Sequence, residues 1–165
     1  MKPSTDPDSR QEKELRVAVI TGGHAFDLPP FYQMTRSFDG MDVYVQHLEN
    51  FASSPEEVRD AYDVVVFYTM HIPVPEDDGP WFLGQQRSAI ERLFERGQGV
   101  VVLHHSILAF SAWEFWDDVV GMIHRRTGDK FRYTFGLDLT VGITDASHPI
   151  TAGLEAFRIR DEGYR

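Results

Sequence analysis

The chain has 165 residues, a common size for one domain, and its apolar and charged fractions of 42% and 25% are ordinary for a globular protein. Sixteen Lys and Arg stand against 26 Asp and Glu, and this net charge of -10 disfavours nucleic acid and anionic membranes as partners. The sequence has no cysteine, so disulfides, thiolate metal sites and cysteine nucleophiles are excluded.

The N-terminal stretch is polar and rich in proline and charge, which predicts a disordered leader over residues 1–14 and a folded domain over 15–165. It carries no apolar signal core. No segment approaches the ~18 apolar residues of a membrane-spanning helix. The sequence therefore predicts a cytoplasmic protein.

After the leader, short apolar runs alternate with amphipathic segments. The patterns predict, in chain order, a strand at 15–21, a helix at 29–38, a strand at 41–48, a helix at 53–61, a strand at 62–70, a helix at 82–97, a strand at 99–105, a helix at 111–121 and a strand at 133–143. Asp145 and Ser147 are turn-forming residues.

Three of the predicted strands are continuous Val/Ile-rich runs, which is typical of parallel strands buried on both faces. Alternation with helices then predicts the α/β class: a three-layer, doubly wound, flavodoxin-like, mostly parallel sheet. Ligands of such sheets bind beyond the carboxyl ends of the strands.

Histidines follow these three strands: His24 follows the first, His71 the second, and His104 and His105 the third. In flavodoxin-like order the His71 strand lies between the other two, and the outer tips are ~10 Å apart. If the third strand continues through His105, its two histidines point to opposite faces and only one enters a pocket. Helix-capping or core-edge imidazoles are the structural alternative.

The sequence motifs for phosphate binding, a serine nucleophile and a metal site are incomplete. The stretch "TGGHAFD" could form a phosphate loop, but it lacks both GxGxxG spacing and a P-loop lysine. Ser106 lies in "HHSIL", which differs from the GxSxG of a serine-hydrolase elbow. The chain has no HExxH motif, so the sequence signal for a metal site is weak. A divalent metal such as zinc stays an open alternative.

Four stretches, "VITGGHAFD", "YDVVVFYTM", "GQGVVVLHHSILAFSAWEFWDDVVG" and "DASHPITAGLEAFRIRDEGYR", resemble the ThuA-like (trehalose utilisation) family over residues 15–165. The resemblance implies a fold like that of class I glutamine amidotransferases and a small carbohydrate ligand. In the amidotransferases, a cysteine nucleophile occupies the elbow after the matching strand. This chain has His104, His105 and Ser106 there, so glutaminase activity by that route is excluded.

The resemblance also implies that the "DE-Y" stretch of Asp161, Glu162 and Tyr164 lies near the histidines. Adjacent carboxylates of an extended segment point to opposite sides, so we expect one of them to face the site. An acidic surface loop is the alternative. Family members usually continue for some tens of residues past this stretch, so this chain is either a domain truncated at its C-terminus or a short member of the family. An exposed sheet edge would then favour a homo-oligomer.

The main functional hypothesis is an enzyme that acts on a sugar or sugar derivative by acid–base or metal-assisted chemistry. Its predicted catalytic residues, which are also the candidate metal ligands, are His24, His104 and Glu162. The predicted substrate-binding residues are Gly23, His71, His105, Trp113, Asp161 and Tyr164. Helix packing is the alternative for Trp113. A non-catalytic carbohydrate-binding or accessory domain, or an interaction domain in a larger assembly, is the alternative function.

Overall fold

The computed structural model describes residues 14–122 and 133–164, and the chain divides into two compact units, Met1–Arg126 and Thr127–Arg165. Apart from Glu14, the predicted leader lies outside the described residues. In the first unit a parallel sheet has the strand order β2-β1-β3-β4. Its strands are β1 (Leu15–Gly22), β2 (Met41–His47), β3 (Val64–Thr69) and β4 (Gly99–Val102). This order is flavodoxin-like, as predicted.

Helices connect these strands. They are α1 (Leu28–Arg36), α2 (Leu48–Ser53), α3 (Glu56–Arg59), α4 (Gln86–Arg96) and α5 (Glu114–Val120), with short 3₁₀ helices at Trp81–Leu83 and His104–Leu108. The sequence did not predict α2, a helix of six residues whose Leu48 and Phe51 are fully buried. The C-terminal ends of α4 and α5 depend on glycine, because Gly97 and Gly121 end these helices in the left-handed conformation.

One face of the sheet carries the main hydrophobic core, beneath α2, α4 and α5. Phe67 of β3 and Trp116 of α5 are fully buried there, with their rings edge to face at 4.9 Å. Burying each such side chain contributes about 1.5–3 kcal/mol before conformational entropy is counted. On the other face, Phe31 and Met34 of α1 and the side chains of β1 line an apolar groove. The α/β doubly wound class is therefore confirmed.

The second unit contains two antiparallel strands, β5 (Tyr133–Val141) and β6 (Phe157–Tyr164). The register places the apolar pair Leu139 and Ile159 on one face and the charged pair Asp138 and Arg160 on the other. The predicted strand at 133–143 is confirmed within two residues of its end. The turn predicted at Asp145 forms through hydrogen bonds that Ser147 donates from N–H and Oγ to Asp145 Oδ1.

Candidate functional site at the carboxyl edge of the sheet

The four parallel strands end at one edge, which we call the strand-tip edge. β3 lies between β1 and β4 in the sheet, which confirms the predicted adjacency of the three strands that histidines follow. His24 follows β1, His71 follows β3, and His104 and His105 follow β4. A fourth strand tip also carries an imidazole, because β2 ends at His47.

Gly23 lets the chain after β1 pack against the backbone that follows β3. Gly23 has a positive φ of 68°, and a Cβ on it would lie 2.6 Å from the carbonyl carbon of Met70. Backbone packing therefore excludes a side chain at this position, and the positive φ disfavours one. This packing by itself explains Gly23, and its predicted contact with a ligand stays a prediction.

The sequence-based prediction that β4 extends through His105 is wrong. β4 ends at Val102, and His104 begins a 3₁₀ helix with a positive φ of 51°. A left-handed non-glycine residue is unusual and makes the chain turn sharply at the strand tip. The two imidazoles consequently do not alternate across a strand: His104 is exposed and His105 is 2% exposed, and their Nδ1 atoms lie 2.8 Å apart.

Ser106 holds this turn in place. The Ser106 N–H donates to the carbonyl oxygen of Leu103 at 3.0 Å, and the Thr69 N–H donates to Ser106 Oγ at 2.6 Å. In a continuing parallel ladder, Leu103 would accept from Thr69 directly. Ser106 thus replaces the next rung of the ladder and lets the chain leave the sheet. It is completely buried, and its hydroxyl is engaged with the backbone instead of facing solvent.

His24 joins the two histidines of the turn. Its ring stacks on the ring of His105 with centroids 4.2 Å apart and an interplanar angle of 28°. Tyr68 of β3 lies on the same ring at 5.0 Å. The structure thus brings His24, His104 and His105 together, and we call these three residues the histidine cluster. Because one Nδ1 of the hydrogen-bonded pair donates and the other accepts, the buried ring is connected to the exposed one by a single shared proton.

His71 and His47 form a second group at the strand-tip edge, from the two strands that flank β1. Their ring centroids are 5.3 Å apart. Burial, followed by the nearby His47, lowers the pKa of His71, so this imidazole is neutral at neutral pH. The sequence-based reading missed His47 because it lies inside an alternating strand, and only the strand order places it beside His71.

Trp113, a predicted ligand contact, lies in the core. It precedes α5, is 4% exposed, and packs against Phe110 and Phe115 with centroids at 5.8 and 4.9 Å. This arrangement matches the helix-packing alternative. A contact between Trp113 and a ligand stays a prediction.

The predicted carboxylates lie on β6 of the second unit. Asp161 is opposite Leu137, and its Oδ1 accepts a hydrogen bond from the Glu162 N–H at 2.8 Å. As neighbours on a strand, Asp161 and Glu162 point to opposite faces, and both are partly buried. The backbone of Tyr164 ends the strand. The roles predicted for these three residues beside the histidines stay predictions.

Residues 14–122 and 133–164 contain no group of three or more His, Asp or Glu side chains arranged to hold a metal ion. No helix in these ranges combines the length and apolar character needed to cross a membrane.

Comparison with known proteins adds a family and a fold. The family model ThuA, described as trehalose utilisation, matches residues 16–165. A crystal structure of a protein described as ThuA-like, from Bacteroides uniformis, superposes with a TM-score of 0.63 at 17% identity, covering 99% of this chain and 64% of that one. This chain therefore spans less than two thirds of that protein. Comparison with curated proteins gave no match.

Proposed function

The chain belongs to the ThuA family, and from this premise we propose that it acts on a sugar or sugar derivative by acid–base chemistry in carbohydrate utilisation. The description of the family supports the class of ligand. The position of the histidine cluster supports the location, because doubly wound sheets bind ligands beyond the carboxyl ends of their strands. The proposed ligand is a small carbohydrate, and the proposed setting is the cytoplasm.

The observation that carries the proposal is the turn after β4. It presents His104 to solvent in a strained left-handed conformation, with Nδ1 hydrogen-bonded to the buried His105. Strained backbone of this kind costs roughly 1–3 kcal/mol and is concentrated at functional sites. An exposed imidazole that is hydrogen-bonded to a second one is suited to accept and donate a proton. We assign the acid–base role to His104 and His24, with Glu162 as the proposed carboxylate partner.

This chemistry differs from that of a glutaminase. The sequence has no cysteine, and a histidine occupies the turn after β4. The Ser106 hydroxyl accepts from the backbone of β3 in a fully buried position, which makes it unsuited to attack a substrate. The proposal therefore relies on imidazole groups as proton acceptors and donors, without a covalent nucleophile.

A metal-assisted variant of the proposal uses His24, His104 and Glu162 as ligands of a divalent ion such as zinc. In the described first unit, His104 Nδ1 is already hydrogen-bonded to His105 and His24 is stacked on the same ring. We therefore derive no step through a metal. Metal content of untagged protein, compared with the H24A and H104A variants, tests this variant directly.

The function is tested with trehalose and a panel of its mono- and disaccharide relatives. We expect a panel sugar to raise the Tm of the wild-type chain and to be converted to a product visible by NMR. Both effects should be lost in H24A and H104A. His148→Ala is the matched control, because His148 lies in an exposed turn of the second unit. Stabilisation without product in wild type would favour the alternative, a non-catalytic carbohydrate-binding domain. No stabilisation by any sugar would contradict both.

A further inference from the structure

His47 and His71 meet at the one position on β1 where there is no side chain. Gly22 lies between the rings with a φ of 130°. A Cβ on Gly22 would be 2.5 Å from His71 Cε1 and closer still to His47 Nε2. The missing side chain therefore lets the two rings approach each other over Gly22, with His47 Nε2 and His71 Cε1 in the volume that a side chain would occupy.

The backbone determines where His47 carries its proton. His47 is the N-cap of α2, and its Nδ1 accepts a hydrogen bond from the Glu49 N–H at 3.4 Å. A neutral ring that accepts at Nδ1 carries its proton on Nε2. Glu49 Oε2 lies 3.5 Å from the same Nδ1 and would pair with it if the ring became fully protonated. In both states Nε2 is a hydrogen-bond donor.

The opposite tautomer is imposed on His71. Thr69 Oγ1 donates its single proton to the carbonyl oxygen of Gly22 at 3.0 Å. The same oxygen lies 2.5 Å from His71 Nδ1, so it must accept from that nitrogen. A neutral His71 therefore has its proton on Nδ1 and a lone pair on Nε2. Nε2 is bonded to Cε1, the ring atom of His71 that lies beside Gly22.

We propose that His47 and His71 together bind one hydroxyl group, which donates to His71 Nε2 and accepts from His47 Nε2–H. A hydroxyl has one proton and two lone pairs, so it matches one acceptor and one donor. An anion would require two donors, and a metal ion would require two lone pairs. The ligand class is a sugar or other polyol, an assignment that rests on the proposed function. Neither residue belongs to the histidine cluster.

The tautomers can be measured without a ligand. We expect two-bond ¹H–¹⁵N spectra of ¹⁵N-histidine-labelled protein near pH 7.5 to show His71 protonated at Nδ1 and His47 protonated at Nε2. The H47N and H71N variants assign the signals. Two rings in the same tautomer would overturn the proposal.

Ligand binding is then tested with trehalose, glucose and glycerol, and with inorganic phosphate as the anionic probe. We expect at least one polyol to shift the Nε2 signals of both histidines, and phosphate to shift neither. Gly22→Ala should abolish the shift, because its methyl group displaces both rings. Gly97→Ala should keep it, because Gly97 also has a positive φ but has no atom within 4 Å of its virtual Cβ.

Two results would refute the site in different ways. If no polyol moves either Nε2 signal, the hydroxyl site is wrong. If turnover or sugar stabilisation persists in that case, the proposed function survives with its histidine cluster. If Gly22→Ala and Gly97→Ala behave alike in well-folded protein, the rings do not depend on the space at Gly22, and the proposal also fails.

Discussion

Replacing Ser106 with alanine removes one hydroxyl from the point where the chain leaves the sheet. In the wild-type protein Ser106 Oγ accepts from the Thr69 N–H at 2.6 Å, and the Ser106 N–H donates to the carbonyl oxygen of Leu103. Alanine keeps the second bond and loses the first. The Thr69 N–H cannot return to Leu103 without straightening the turn that carries His104.

The expected cost follows from burial. Thr69 and Ser106 are both 0% exposed, so water cannot replace the lost acceptor. Leaving a buried donor without a partner costs about 1–3 kcal/mol. Removing one hydroxyl oxygen adds little cavity volume, so the cavity contribution is small beside this cost. For a chain of this size, each kcal/mol corresponds to roughly 2–4 °C in Tm.

Urea unfolding followed by tryptophan fluorescence measures this loss, because Trp116 Nε1 donates to the Ser106 carbonyl oxygen at 3.1 Å and reports on the turn. Ser37→Ala is the matched control: its Oγ donates to a backbone carbonyl at 2.7 Å, but on the surface. We expect Ser37→Ala to stay within about 0.5 kcal/mol of wild type. A Ser106→Ala protein equally close to wild type would refute the proposed replacement of the ladder rung.

Three further predictions concern stability. In urea unfolding, Gly84→Ala should lower the free energy of unfolding more than Gly97→Ala does. Both glycines have a φ of 68°, but only at Gly84 would a Cβ collide with the backbone of α2. Equal losses in the two variants would contradict this. Burial lowers the pKa of His71, so the wild-type protein should lose stability as pH falls through 6.5, where the histidine of the unfolded chain gains a proton. Urea midpoints measured between pH 8 and 5 should show this slope in wild type and a flatter slope in His71→Asn. The Arg92 guanidinium lowers the pKa of Asp60. The difference in stability between wild type and Asp60→Asn should therefore be fully present above pH 3.8 and should shrink as pH falls below it. A difference that does not change with pH in acid denaturation would count against the Arg92–Asp60 ion pair.

The fold was predictable because its signals are local. The Val/Ile runs of β1, β3 and β4 are continuous apolar segments that can be read directly from the sequence, and they imply a parallel sheet with one ligand-binding edge. Gly97 and Gly121 mark helix ends by the conformations that glycine alone adopts easily. The turn at Asp145 is equally local, because its side chain bonds to Ser147 two residues away.

The parts that the sequence did not show depend on non-local contacts. The end of β4 at Val102 results from Ser106 bonding to Thr69, a residue 37 positions away. The role of His47 arises from the strand order, which places β2 beside β1 and brings His47 to His71 across Gly22. The short helix α2 has too few residues to show a helical period, and its buried face is decided by contacts with α4 and the sheet.

The sequence by itself therefore determined the fold class, the absence of thiol chemistry and the edge of the sheet where histidines gather, because these depend on composition and on spacing along the chain. The tertiary structure decided which imidazoles touch. It paired His24 with His105 and His47 with His71, and it assigned Ser106 to the backbone. The reason is physical: a hydrogen bond or ring contact needs atoms within a few ångströms, and only folding brings together residues that lie tens of positions apart.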